Sequence, residues 1–297
     1  MKREIRDALV GYLFVSIWII GFLLLTVYPI VQTIIFSFQN VKYTTTGIET
    51  TSVLFANYKQ LLTKNLTYLV ALKDFAIEVL ICVPIIIIFS FIVAILLNQN
   101  LKLKGMFRAI YFLPVIIISG PIVNELFAQD VTSLSILGDY GFKTFIQSYL
   151  PKWLQDPILS LFDKMIYILW LSGVQIIIFL SGLSKINRSM YEAASIDGAN
   201  SWVKLWKITL PSIVPMIGIN ALYTIVSLST SSTNEVTKII KLDKDNVQFG
   251  YGYASAEAMI YVLVIIVILL VFVLSFYLFT RKEKRLDVKY KNNWFFL

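Results

Sequence analysis

Histidine is absent from this chain of 297 residues, and cysteine occurs once, as Cys82. The first absence removes imidazole ligands for zinc, the Ser-His-Asp triad and the Cys-His nucleophile pair. The second removes an internal disulfide framework and any metal site built from paired thiolates. Charge is scarce too, with Asp, Glu, Lys and Arg making up 15% of the chain, where an average soluble domain carries about 25%. No G-x-x-x-x-G-K-[ST] phosphate loop occurs, so the chain cannot itself be an ATPase of that kind. What is present is apolar: 58% hydrophobic residues, 14% aromatic ones and a mean hydropathy of +0.76. That composition belongs to a membrane protein and excludes an ordinary soluble enzyme, a disordered regulator or a disulfide-built secreted module.

A helix needs about 20 apolar residues to cross a hydrocarbon core of about 30 Å. Six stretches qualify: residues 8–38, 74–97, 107–127, 165–183, 212–228 and 258–280. The expected fold is an all-α membrane protein with six transmembrane helices. The first stretch is longer than the core of a signal peptide, and no small-x-small cleavage site follows it, so it is expected to stay as an anchor. Lys and Arg set the orientation. With the N-terminus inside, the cytoplasmic segments 1–7, 98–108, 184–211 and 281–297 hold 16 of the 26 basic residues and 6 of the 18 acidic ones. Arg281, Lys282, Lys284 and Arg285 follow the last span as a stop-transfer cluster. Both termini are therefore expected in the cytoplasm. Position beside the spans and their lipid accounts for the net charge of +8 without a nucleic-acid partner.

The expected divisions are an N-terminal segment, 1–73, with the first span and external loop; a core, 74–280, with spans two to six; and a basic tail, 281–297. The external loops are 39–73, 129–164 and 229–257. Within the second, Gly138, Gly141, Pro151 and Pro157 punctuate apolar patches around Phe142, Phe145, Ile146, Trp153 and Leu154. A short amphipathic or re-entrant helix is expected there.

The cytoplasmic loop 184–211 is longer than a connection requires. Asn187 or Ser189 can cap a helix, and Ser189 stands three residues before Glu192 in capping-box spacing. Ala193 and Ala194 give that helix a small-residue face. Gly198 permits a left-handed turn, after which Asn200 or Ser201 can cap a second short helix. Trp202, Val203, Leu205, Trp206 and Ile208 make the second helix apolar, Lys204 and Lys207 reach toward water or lipid phosphates, and Pro211 suits the first turn of the next span. Such a helix-turn-helix either pads the membrane surface or presents a ridge that docks in a groove of a cytoplasmic partner.

Glu192-Ala193-Ala194, Asp197-Gly198-Ala199 and Ile208-Thr209-Leu210-Pro211 together resemble the EAA motif of binding-protein-dependent ABC importer permeases, with that motif's Glu-to-Gly and Gly-to-Pro spacings. Tyr28-Pro29, Ser37-Phe38 and Asn57-Tyr58, the stretch from Gly105 to Pro114, and the stretch from Gly250 to Ala256 resemble the carbohydrate branch of the same family. The likeness is to the first of the two permeases in importers related to maltose and glycerol-phosphate uptake systems. Asn187 is a departure, since the family often has proline there, so initiation of that helix is expected to rely on capping.

The resemblance implies a transport subunit that is not an enzyme and has no cofactor of its own. A second permease subunit would complete the path, two cytoplasmic ATPase subunits would bind ATP and Mg, and an extracytoplasmic solute-binding protein would deliver a sugar. Glu192, Ala193, Ala194, Asp197, Gly198, Ala199 and Pro211 would couple the chain to the ATPase. For the path itself, Asn220, Tyr223 and Ser227 recur at helical spacing and Ser231 extends them, while Tyr167, Trp170 and Gln175 offer aromatic and amide groups on the fourth span. Such a mixture suits a neutral sugar; it also suits polar contacts that glue helices together. The alternative function is a self-sufficient secondary transporter or channel, for which Glu78 is the central candidate. Glu125 and Glu257 are expected near outer ends of spans, and Pro84, Pro114 and Pro121 as kinks.

Overall fold

The computed structural model describes residues 2–44, 47–99, 105, 142–152, 155, 159, 165–231, 233–246 and 249–293. Along the chain these form α1 (Lys2–Phe22), a π turn (Leu23–Val27), α2 (Tyr28–Ser37), β1 (Gln39–Thr44), β2 (Gly47–Ser52), α3 (Ala56–Lys64) and α4 (Leu66–Asn98). After them come α5 (Phe142–Tyr149), α6 (Met165–Leu183), α7 (Arg188–Ile196), α8 (Ser201–Lys204), a second π turn (Leu205–Thr209), α9 (Leu210–Ser229), α10 (Glu235–Asp245) and α11 (Gly250–Asn293). Among the described residues, four helices are long and apolar enough to cross a membrane: Val10–Ser37, Leu66–Asn98, Ser201–Ser229 and Gly250–Arg281. A shorter apolar helix spans Leu171–Leu183. Five of the six expected stretches therefore coincide with described helices, and 107–127 lies outside the described residues.

Both π turns have the same cause. Each ends two residues before a proline, Pro29 or Pro211. A proline inside a helix has no N–H to donate, and its ring collides with the carbonyl four residues back. The chain absorbs this by widening one turn, and the N–H groups of Tyr28 and Leu210 bond to the carbonyls of Leu23 and Leu205, five residues back. Helix α8 thus runs through the widened turn into α9, so the second helix of the 184–211 loop is the first stretch of the Ser201–Ser229 helix rather than a separate surface helix.

Two compact units divide the chain: Met1–Phe75 with Glu235–Val267, and Ala76–Asn234 with Ile268–Leu297. In the first, the expected external loop 39–73 is built rather than loose. Strands β1 and β2 pair antiparallel, Gln39 opposite Ser52 through Thr44 opposite Gly47, which adds a hairpin to the helical fold expected. Buried groups of this unit include Val41, Leu61, Tyr68, Phe75, Val236 and Tyr253, with Phe75 and Tyr261 meeting edge to face at 5.2 Å. In the second unit, Val93, Ala94, Leu97, Ile176, Phe179, Leu180, Leu183 and Ile213 form one apolar cluster from α4, α6 and α9. Gly182 lets Met216 approach α6 closely, since a Cβ there would lie 2.6 Å from the Met216 Cγ. The short helix expected within 134–163 corresponds to α5; Trp153 and Leu154 lie outside the described residues.

Candidate functional site

Helix α7 is fixed by its own backbone. The Asn187 side chain caps it, accepting from the Ser189 N–H at 3.1 Å. Its far end closes through Gly198, whose φ of +79° is left-handed. The Ala199 N–H donates to the Ala194 carbonyl at 2.8 Å and the Gly198 N–H to the Ser195 carbonyl at 3.2 Å, the paired bonds of a Schellman ending. Asn200 then caps the next helix, accepting from the Val203 N–H at 2.9 Å. Caps of this kind contribute about 1 kcal/mol each.

The Glu192 carboxylate does not reach back to the start of α7 as a capping box would have it. It lies 3.6 Å from the Arg188 guanidinium, with both side chains exposed. No residue of α7 is buried. Glu192, Ala193, Asp197 and Gly198 are exposed, Ala194 and Ala199 half-buried, and Ile196 is 87% exposed.

Two contacts tie this exposed helix to the span that follows. The hydroxyls of Tyr191 and Thr209 meet at 2.9 Å, and Lys204 Nζ donates to Ser195 Oγ at 2.6 Å. Lys204 is therefore engaged within the loop rather than extended toward lipid. Thr209 is buried in the π turn just before Leu210-Pro211. A displacement of α7 consequently reaches α9 through side-chain contacts as well as along the chain. Sequence reasoning noted Thr209 only within the Ile208–Pro211 stretch and missed Tyr191 and Ser195, and no local pattern marks these contacts.

Within the membrane-spanning part of the second unit, Gln175 on α6 and Asn220 and Thr224 on α9 are fully buried. Gln175 Nε2 donates to Thr224 Oγ1 at 2.9 Å, Thr224 Oγ1 to the Asn220 carbonyl at 2.7 Å, and Asn220 Nδ2 to the Gln175 carbonyl at 3.4 Å. The amide oxygens Gln175 Oε1 and Asn220 Oδ1 have no hydrogen-bond partner among the described residues. A buried acceptor left unmade costs about 1–3 kcal/mol. Of the other path candidates, Tyr223 is 41% exposed, while Ser227 and Ser231 are half-buried, with Ser231 Oγ 2.7 Å from Thr233 Oγ1. Tyr167 and Trp170 lie on α6, but their side chains are outside the described residues. Glu78 is half-buried on α4. Thr224 was not anticipated.

The segments singled out around the first and last spans meet in the first unit. Asn57 Nδ2 donates to the carbonyls of Ser37 and Gln39, both at 3.0 Å, and the Tyr58 hydroxyl donates to Ser37 Oγ at 2.7 Å. Phe38 rests against Phe55 and Tyr58 with ring centroids 5.4 Å from each. Gly252 sits against the Gln39 carbonyl, where a Cβ would collide with the backbone. These residues anchor the hairpin. Only Gly105 of the 105–114 stretch falls among the described residues.

The family model for binding-protein-dependent transport system inner membrane components matches residues 68–284. The chain is 33% identical over 235 residues to the probable ABC transporter permease protein YesP of Bacillus subtilis, covering 76% of this chain and 72% of that one. It is 31% identical over 214 residues to the arabinooligosaccharides transport system permease protein AraP of Halalkalibacterium halodurans, covering 70% of this chain and 64% of the relative. In fold it is similar to a chain of a bacterial ABC transporter involved in the import of the acidic polysaccharide alginate, with a TM-score of 0.61, 19% identity, and coverage of 92% of this chain and 97% of that one. With a match running from the start of α4 into the last helix and across the whole capped surface loop, the chain belongs to the family of binding-protein-dependent transport system inner membrane components.

Proposed function

We propose that this chain is one of two permease subunits of an ATP-driven importer for a sugar or oligosaccharide, crossing the membrane six times with both termini in the cytoplasm. The observation that carries the reading is α7: capped at both ends, without a buried residue, and tied to the start of a span. A helix whose end groups are already satisfied needs no neighbour for its backbone, so its exposed face is left for a groove. That groove belongs to one of two cytoplasmic ATPase subunits, which bind the ATP and Mg that this chain does not. Glu192 faces a basic residue of the ATPase, Ala193 and Ala194 seat in its groove, Asp197, Gly198 and Ala199 hold the bend, and Pro211 sets the widened turn in the span that moves. Closure of the ATPase pair pulls α7, and the contacts from Tyr191 to Thr209 and from Lys204 to Ser195 carry the motion into α9. The result is alternating access.

An extracytoplasmic binding protein delivers the solute, as the family description implies, and relatives described as handling arabinooligosaccharides and alginate support a carbohydrate. Gln175 and Asn220, each with a free amide oxygen, suit sugar hydroxyls, with Tyr167, Trp170, Tyr223, Ser227 and Ser231 supplying stacking and further polar contact. The test is to purify the tagged chain gently from native membranes and identify its companions by mass spectrometry. A second multi-span subunit and an ATPase are expected, with the ATPase lost from Glu192→Lys while that variant still inserts. A chain that purifies alone and moves solute into liposomes without ATP would sink the proposal.

A further inference from the structure

A cavity lies in the first unit. It has a volume of about 600 Å³ and is lined by residues including Gln60, Asn65, Thr67, Asp243, Phe249 and Tyr253. The size falls within the range of about 300–1,000 Å³ typical of small-molecule sites. Its walls come from the end of α3, the start of α4, α10 and the start of α11. In the orientation proposed above, that places it on the external side.

Two independent features of its lining are unusual. Phe249 and Tyr253 are stacked at 4.7 Å with their planes 23° apart, and Phe249 keeps part of its surface open. Behind them, Asn65 Nδ2 donates both to the Tyr253 hydroxyl at 3.3 Å and to Glu257 Oε1 at 3.2 Å, while the Tyr68 hydroxyl donates to the Glu257 carbonyl at 2.6 Å. Glu257 is fully buried. Among the described residues its second oxygen, Oε2, has no donor other than the neighbouring Asp243 carboxyl, which can supply one only while one of the two acids keeps its proton.

An aromatic face, a carboxylate and an exposed amide make up the chemistry that holds a ring of hydroxyls. C–H patches of a sugar stack on the aromatic face, and its hydroxyls donate to Asp243 and accept from the Gln60 amide. A metal cation is served less well, because one lining carboxylate with an aromatic wall gives few oxygen ligands.

We propose that this cavity is an external receiving site for a carbohydrate residue, with Phe249 as stacking platform, Asp243 and Gln60 as hydroxyl partners, and Asn65 holding Tyr253 in place. The proposal rests on the carbohydrate reading of the importer. Leu242, on the cavity rim and 71% exposed, offers a labelling point as Leu242→Cys, because the native Cys82 is buried. The labelled chain, in its complex in nanodiscs, is titrated with arabinotriose, maltotriose and lactose. A saturable change in dye emission is expected with at least one of them. Asp243→Asn should weaken it about tenfold, the loss of one hydrogen bond to a charged group. Phe249→Leu, which keeps the apolar bulk, should weaken it severalfold, and Arg188→Ala, on the exposed surface of α7, should leave it unchanged. A complex that transports one of these sugars while the dye stays silent, or a response that ignores Asp243→Asn and Phe249→Leu, overturns the receiving site alone. A complex that transports only non-carbohydrate solutes overturns the carbohydrate reading, and this site with it.

Discussion

Helix α7 and the buried group of Gln175, Asn220 and Thr224 belong to the same unit and are held by opposite means. The helix has no buried residue, and its shape comes from caps, a left-handed glycine and backbone bonds spanning at most five residues. The buried group is wholly enclosed, and its defining bond joins residues 49 apart in sequence. One is a rigid outward projection; the other is an inward polar junction with acceptors to spare. Stability and function are thus separable in the first, where a surface substitution costs the fold little. In the second they are entangled, because removing a partner strands a buried polar atom.

Gly198→Pro breaks the first side of this contrast most severely. Proline holds φ near −65°, whereas Gly198 stands at +79°, so the Schellman closure cannot form. Transport should be abolished while the chain still inserts, as membrane fractionation beside a solute-uptake assay would establish. Loss of the protein from the membrane would mean that the loop serves folding instead. Asn220→Leu probes the second side. It deletes an amide whose oxygen is unpaired and whose one donated bond is long, at 3.4 Å. Uptake should fall about tenfold, the worth of one interaction of about 1.4 kcal/mol, while the thermal unfolding midpoint of the purified complex changes little. A fall in the midpoint with uptake intact would make Asn220 helix glue. Thr224→Val should do the reverse of Asn220→Leu, since it leaves the Gln175 amide without its acceptor inside the bundle. A cost of about 1–3 kcal/mol is expected in unfolding, and a stability unchanged by the substitution would mean that this bond holds nothing together.

How far these regions were legible in the sequence follows from the same contrast. Asn187, Gly198, Asn200 and Pro211 could be read because each acts within a turn of its own position. Even there the cap fell on Asn187 rather than Ser189, and α8 turned out to be continuous with α9, since a π turn rather than a break accommodates Pro211. Gln175 and Asn220 stood out as amides in apolar runs, but Thr224 did not, because a threonine in a membrane helix bonds its own backbone as readily as a partner. Tyr191 and Thr209, 18 residues apart, gave no local sign of pairing. The hairpin at 39–52 was hidden for a related reason: its residues Gln39-Asn40-Val41-Lys42-Tyr43-Thr44 and Gly47-Ile48-Glu49-Thr50-Thr51-Ser52 carry no sustained alternation of apolar and polar side chains to betray the strands. Gly252 and Asn57 were noticed as parts of family-like stretches, and only the fold explains them, by the close approach of Gln39 to both.

The smallest expected effect isolates what Glu192 does. Its visible partner is Arg188, at 3.6 Å and with both side chains largely in water. An exposed pair four residues apart on a helix contributes about 0.3–0.5 kcal/mol. Arg188→Ala should therefore leave unfolding, uptake and recovery of the ATPase close to wild type, whereas Glu192→Lys should lose the ATPase entirely. If Arg188→Ala instead matches Glu192→Lys in both assays, the carboxylate works by holding its own helix and not by facing another subunit. If the two variants diverge as expected, the carboxylate's important partner lies outside this chain, because the one within it can be removed at almost no cost.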